Sequence, residues 1–389
     1  MLTPYRRVLS EPGALAFSGA ALVARLPISM IGLGIVLLIS TVTGSYGLAG
    51  SVSAVFLISN ALLTVPQGRL LDQWGQARVL TTAIAVHTVA LVLLVVAVQA
   101  DWPLVTTYAA AALGGATLPA VGPSVRARWS HRLHRPADVA TAYALESVLD
   151  EVVFIVGPIL VTVLATGWRS WSGLAVAIVV GLVGTLGYAS LRATQPPARR
   201  RSADDGPRPP MPWRAIAAIA LVALLLGTAL GAAEVITVAF TEEAGVKRWA
   251  GFLLALWAAG SLVGGVVTGS IQWQRGPGGR LRWATLGLAV AMAPLPWIGS
   301  VAVLAMVLFV GGLAVAPSLI ATNSLVEQTV PSGRLSEGMA LVHTGIVAGV
   351  APGATLAGLV IDAQGASTAY LIPVVAGVAG ALAARLTPR

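Results

Sequence analysis

Seven ionisable side chains sit inside long apolar runs of this sequence, and they are the first candidates for chemistry: Arg25, His87, Glu146, Asp150, Glu151, Glu234 and His343. A charge placed in a lipid-covered segment is costly and marks a functional site by default. Glu146 and Asp150 are four residues apart, so on a helix they share one face. Glu151 points about 100° away from Asp150. Glu234 is a candidate cation-binding group or second proton site, and the alternative places it at a wet mouth. His343 is a candidate cavity residue, whereas His87 reads as a packing residue. Tyr143, Trp257 and Phe309 are candidate cavity aromatics, although aromatics in such runs more often pack or meet lipid. His131 and His134 have helical spacing but flank arginines, which argues against a metal site, and none is expected. No nucleophile–base set, phosphate loop or metal constellation is visible, so an enzyme is the least favoured reading and no cofactor is expected.

The runs that carry these groups must be membrane helices. Hydrophobic residues make up 57% of the chain and charged residues only 10%, against roughly 25% charged in a soluble domain. So few charges cannot cover a water-facing surface. A crossing helix needs about 20 apolar residues, and twelve stretches qualify: Ala14–Thr43, Leu48–Gln67, Arg78–Val98, Pro103–Ser124, Ala137–Ala165, Trp171–Leu191, Trp213–Phe240, Trp249–Ile271, Trp283–Gly299, Val301–Ser324, Leu335–Ile361 and Thr368–Leu386. The ninth and tenth nearly touch around Trp297. Lipid leaves no partner for open backbone groups, so these runs are helical. There is no cysteine, which excludes disulfides and thiol chemistry.

Arginine placement sets the orientation. With the N-terminus inside, the inner segments hold Arg6, Arg7, Arg69, Arg78, Arg126, Arg128, Arg132, Arg135, the Arg199–Arg201 cluster, Arg280, Arg282 and Arg385, among others. The outer loops hold only Arg169, Lys247 and Arg248. This bias predicts cytoplasmic termini and an even helix number. It accounts for the net charge of +9 without nucleic acid, with anionic lipid headgroups as natural contacts. The start, with Arg6 and Arg7 before a long apolar run, reads as a cytoplasmic N-terminus and a retained first helix.

The polar, proline-rich stretch 194–212 reads as a flexible linker between an N-terminal six-helix bundle, 1–193, and a C-terminal one, 213–389. The halves echo each other. Gly114-Gly115 with Pro119 corresponds to Gly311-Gly312 with Pro317. Ala144-Leu145 with Gly157-Pro158 corresponds to Ala340-Leu341 with Pro352-Gly353. The offset stays between 195 and 198 residues. Two such halves around a midplane site suit an alternating-access carrier.

Between the second and third runs the chain reads Gly68-Arg69-Leu70-Leu71-Asp72-Gln73-Trp74-Gly75-Gln76-Ala77-Arg78. The two glycines allow a tight turn and close packing. Asp72 offers a fixed negative charge that can face a helix N-terminus or Arg126 and Arg128. The stretch resembles the major facilitator signature G-x-L-a-D-r-x-G-r-[RK]. Gly68, Leu70, Asp72 and Gly75 match, Arg78 supplies a basic residue near the end, and Gln73 replaces the usual basic one. The resemblance implies an all-α fold of twelve helices in two pseudo-symmetric bundles, a monomer, a small-molecule substrate, and a cytoplasmic gate formed by Gly68, Asp72, Gly75 and Arg78. The efflux pattern G-x-x-x-G-P-x-x-G-G survives only as Gly157-Pro158, with Val153 and Val161 where glycines are usual. The family's helix-four arginine is absent from 103–122.

In the resembling family the first helix packs near the fifth. The resemblance therefore pairs Arg25 with Asp150 or Glu146. Two carboxylates sharing one arginine leave one charge in excess, an arrangement suited to gaining and losing a proton. A static ion pair locking two helices and direct substrate contact are the alternatives. The resulting expectation is a proton-coupled exporter of a small lipophilic or cationic compound in a bacterial inner membrane. A proton-coupled importer, with Arg25 seating an anionic group, and a non-transporting membrane sensor or assembly protein are the other readings.

Overall fold

The computed structural model describes residues 3–198, 210–270, 276–331 and 335–388. Most of the linker 194–212 thus lies outside the described residues, as do Arg275, Arg334 and the Arg199–Arg201 cluster. The described residues form helices joined by short turns, without a strand. In chain order the helices are α1 Thr3–Leu9, α2 Ala14–Thr43, α3 Tyr46–Trp74, α4 Gln76–Gln99, α5 Leu104–Ala116, α6 Val121–Arg132, α7 Pro136–Gly167 and α8 Ser172–Ser190. They continue with α9 Trp213–Glu243, α10 Ala250–Ser270, α11 Pro277–Met292, α12 Val301–Thr329, α13 Leu335–Gln364, α14 Ala366–Ala369 and α15 Leu371–Ala383. Eleven segments of the described chain are long and apolar enough to cross a membrane.

The remaining segment expected to cross, 283–299, is divided. α11 starts earlier, at Pro277, and stops at Met292; a short turn, Leu295–Trp297, then leads to α12. Pro294 and Pro296 lack the amide protons that would carry α11 onward. Two other boundaries moved. α3 runs on past Gln67 through Gly68 to Trp74, so most of the signature stretch is part of the helix. Nothing between Gly68 and Trp74 forces the chain out of a helix; the break comes at Gly75, whose φ of 84° suits glycine alone. The fourth crossing is two helices, α5 and α6, separated by Thr117–Ala120 around Pro119.

The helices cluster into two compact units. Unit 1 comprises 1–34 and 59–203; unit 2 comprises 35–58 and 204–389. α2 and α3 thus each belong partly to one unit and partly to the other.

Unit 1 has an apolar core around Phe17, Leu80, Val125, Trp129 and Tyr188. Phe17 and Trp129 meet edge-on with centroids 4.6 Å apart. The short α1 is tied down by ion pairing of Arg7 with Asp138, at the start of α7.

Unit 2 has its core around Ile219, Val222, Leu281, Leu325 and Val342. Its α9 and α13 touch backbone to backbone. A Cβ added to Gly349 would lie 1.8 Å from the Leu224 carbonyl oxygen, and one on Gly227 would lie 2.0 Å from that of Ile346. Lipid tails provide no hydrophobic drive between helices, so close packing through small residues supplies the contact.

Candidate functional site

The polar centre of unit 1 is built from α2, α6 and α7. Ser18, Arg25 and Ser29 form a polar stripe on α2, because spacings of seven and four return to the same helical face. Arg25 is almost fully buried, with its side chain 2% exposed. Its Nε donates to the Ala21 carbonyl at 3.1 Å. Its Nη1 donates to Asp150 Oδ1 at 2.6 Å, and its Nη2 donates to Glu146 Oε2. Ser29 donates to the Val153 carbonyl at 2.8 Å. Gly157 must be small here, since a Cβ would sit 1.9 Å from Ser29 Oγ.

Glu146 is sealed and saturated. Besides Arg25 it accepts from Ser18 Oγ and from Trp129 Nε1, both at 2.7 Å. Asp150, one turn along α7, is 32% exposed, and its second oxygen accepts from Arg126 Nη2 at 2.8 Å. Two arginines therefore face two carboxylates, and the formal charge is zero. The expected excess negative charge disappears because Arg126 joins the cluster.

The interruption between α5 and α6 accompanies this geometry. Backbone groups freed by a broken helix need partners when no water reaches them. Gln67 on α3 supplies two: its Nε2 donates to the Leu118 carbonyl at 3.2 Å, and its Oε1 accepts the Ala120 amide at 2.5 Å. Asn60 donates to the Gly115 carbonyl at 3.3 Å, and His87 Nδ1 lies 2.7 Å from the Gly114 carbonyl oxygen. α6 then starts beside Arg25, with Gly122 facing the Arg25 and Arg126 side chains.

Ser18, Arg126 and Trp129 are the members that sequence reasoning missed. Ser18 lies seven residues before Arg25, which was a readable signal. Arg126 and Trp129 fall in a stretch whose hydropathy drops, and only the helix restart at Val121 turns them toward α7.

The signature residues are dispersed. Asp72 is exposed and makes no hydrogen bond or ion pair among the described residues. It lines a cavity of about 690 Å³ with Arg69, Gln73, Gln76 and His131. Arg128 is fully buried but turned elsewhere. It stacks 3.7 Å over the Tyr188 ring and donates to Gln76 Oε1, the Leu191 carbonyl and Thr194 Oγ1. Gly68 has open space where a Cβ would point, Gly75 makes the turn, and Arg78 is exposed on α4.

In unit 2, Glu234 lies on α9 within the buried stretch 231–241, with its own side chain partly accessible. Its carboxylate makes no hydrogen bond or ion pair among the described residues. His343 on α13 is exposed. Trp257 and Phe309 belong to the α10–α12 contact: Cβ atoms on Gly312 and Gly260 would lie 2.2 Å from their respective carbonyl oxygens. Tyr143, in unit 1, is 37% exposed on α7. Glu151 is half-buried and without a partner among the described residues.

Solved structures share this fold. The nucleoside transporter NupG superposes with a TM-score of 0.74 at 14% identity, covering 94% of this chain and 98% of its own. The POT family transporter PepTSo gives 0.73 at 10% identity, covering 95% and 97%. A bacterial homologue of the iron transporter ferroportin, in its inward-facing state, gives 0.70 at 16% identity, covering 96% and 99%. No curated protein sequence matches the chain. The sequence itself matches the family model of the Major Facilitator Superfamily over residues 17–311, from the start of the Arg25 helix to the Gly311-Gly312 pair of the second half. That match covers most of the chain and agrees with the shared fold, and the chain belongs to the major facilitator superfamily.

Proposed function

We propose that this secondary transporter is a proton-coupled exporter of small lipophilic or cationic compounds, with Asp150 as the proton-carrying group. The observation that carries the reading is the sharing of Asp150 between two unlike arginines: Arg25, sealed inside unit 1, and Arg126, which is 34% exposed. Protonation of Asp150 removes the charge that holds Arg126. The inner pair of Arg25 and Glu146 keeps its own hydrogen bonds meanwhile. The exposed half of the cluster thus responds to a proton while the buried half keeps α2 and α7 registered. Glu146 takes the role of a fixed counter-charge.

Glu234 supports the cationic substrate class. A carboxylate without a partner in a membrane-spanning helix is expensive unless a proton or a cationic ligand satisfies it. The import reading, in which Arg25 seats an anion, is less well supported, because the protein's own acceptors already engage all three Arg25 nitrogens. The arginine distribution supports cytoplasmic termini in a bacterial inner membrane. The protein acts as a monomer in contact with lipid.

The test is proton release in everted vesicles that carry a pre-formed pH gradient. Adding lipophilic cations one by one should dissipate the gradient for some of them in wild type and for none in Asp150→Asn. Dissipation by anions alone would favour import instead.

A further inference from the structure

A second polar cluster, in unit 2, plays no part in that mechanism. Asp362, two residues before the end of α13, accepts the Tyr46 amide on one oxygen and the Gly47 amide on the other, each at 2.8 Å. It also accepts Ser45 Oγ at 2.8 Å. Those amides open α3, so a side chain from a different helix does the work of an N-cap. A second strap runs beside it. The Tyr46 hydroxyl donates to Glu242 near the end of α9. Lys247 donates to Glu242 Oε1 at 2.9 Å and reaches Thr41 Oγ1 at 3.1 Å and Ser40 Oγ at 3.4 Å. Beneath the straps the backbones touch. A Cβ on Gly358 would lie 2.2 Å from the Tyr46 carbonyl oxygen, and one on Gly50 would lie 2.5 Å from that of Ala354.

The clamped segment is the middle of a longer path. α2 belongs to unit 1 up to Gly34 and α3 returns to unit 1 at Ser59; only 35–58 lie with unit 2. Any change that moves 35–58 off α9 and α13 must first release these contacts. We propose that Asp362 is the latch for that release: it holds the α2–α3 turn on α9 and α13, and its disengagement frees the turn from them. The latch is built for reversal. Asp362 is exposed, so water can take over its acceptor role as the amides leave. The inference rests on the carrier reading above, in which opposite ends open alternately.

The chain contains no cysteine, so Val42→Cys with Gln364→Cys introduces the only two thiols. Both positions are exposed. Nitroxide labels there, read by dipolar broadening at short range and pulsed methods at long range, report the separation of the turn from the end of α13. The measurement uses the full chain in lipid nanodiscs without substrate. With Asp362 intact, one short distance should dominate. Asp362→Ala should add a distinct longer-distance population, raising the open-to-closed ratio about five- to tenfold, the order of effect of removing an N-cap. Asp362→Asn, which keeps one acceptor oxygen, should fall between, and it decides the matter on the same criterion if the alanine variant does not fold. Unchanged distances in both, or mere broadening without a second population, would overturn the latch. A shifted distance in a protein that moves no compound would leave the latch standing and remove the export reading.

Discussion

Asp150 Oδ2 lies 2.8 Å from Arg126 Nη2, and the two side chains are 32% and 34% exposed. One turn away, Arg25 and Glu146 form a pair whose side chains are only 2% and 0% exposed. The same chemistry therefore occurs twice with unlike energetics. An ion pair in contact with solvent contributes about 0–1 kcal/mol. Removing one member of a buried pair costs about 3–5 kcal/mol, because the other is left uncompensated. The buried Arg25–Glu146 pair should therefore contribute more to stability than the partly exposed Asp150–Arg126 pair.

Thermal unfolding should separate the two. Glu146→Ala also deprives Ser18 and Trp129 of an acceptor, so it should destabilise the folded protein by about 3–5 kcal/mol. Arg126→Ala should cost less than about 1 kcal/mol. The measurement is tryptophan fluorescence against temperature in one detergent. Equal losses would mean that the cluster is a single structural unit.

Gln67 should matter although it is neither charged nor near a carboxylate. Gln67→Leu leaves the Leu118 carbonyl and the Ala120 amide without their partner in the gap between α5 and α6. Each unsatisfied group costs about 1–3 kcal/mol. The Ala120 amide should exchange its hydrogen markedly faster in the variant; unchanged protection would show that another group satisfies the gap.

What the sequence reveals here depends on the kind of signal. α2 begins and ends where its apolar run does, at Ala14 and Thr43, because hydropathy and helix length measure the same thing. The sharing of a face by Glu146 and Asp150 follows from their spacing. The position of Arg126 does not. It goes with the helix restart at Val121, just after the Ala120 amide that Gln67, 53 residues away, accepts. Asp72 shows the converse: its signature suggests an electrostatic partner, but α6 turns Arg126 to Asp150 and Arg128 to Tyr188. The extension of α3 through Trp74 is not legible in hydropathy, because the polar residues after Gln67 end the apolar run while only Gly75 breaks the helix.

Gly349→Ala should push α9 and α13 apart, since the new methyl would overlap the Leu224 carbonyl oxygen. Overpacking of this sort costs about 1–3 kcal/mol. A lower unfolding temperature is expected, with a further drop for Gly349→Leu. An unchanged midpoint would mean that the two helices slide apart freely.

Asp72→Asn should leave stability within about 0.5 kcal/mol of wild type, because the carboxylate is exposed and unpartnered here. If Asp72 engages a partner only in another state of the cycle, as the signature implies, transport should fall while the unfolding midpoint stays put. A fall in both would place the role of Asp72 in the fold instead.

The most direct test of proton coupling through Asp150 is flux into proteoliposomes under an imposed pH gradient, using a panel of cationic and anionic compounds with wild type beside Asp150→Asn. Wild type should show gradient-driven movement of at least one lipophilic cation, and Asp150→Asn should lose it while remaining folded and able to bind the compound. Gradient-driven flux that Asp150→Asn retains in full would contradict that coupling and reduce Asp150 to a structural charge.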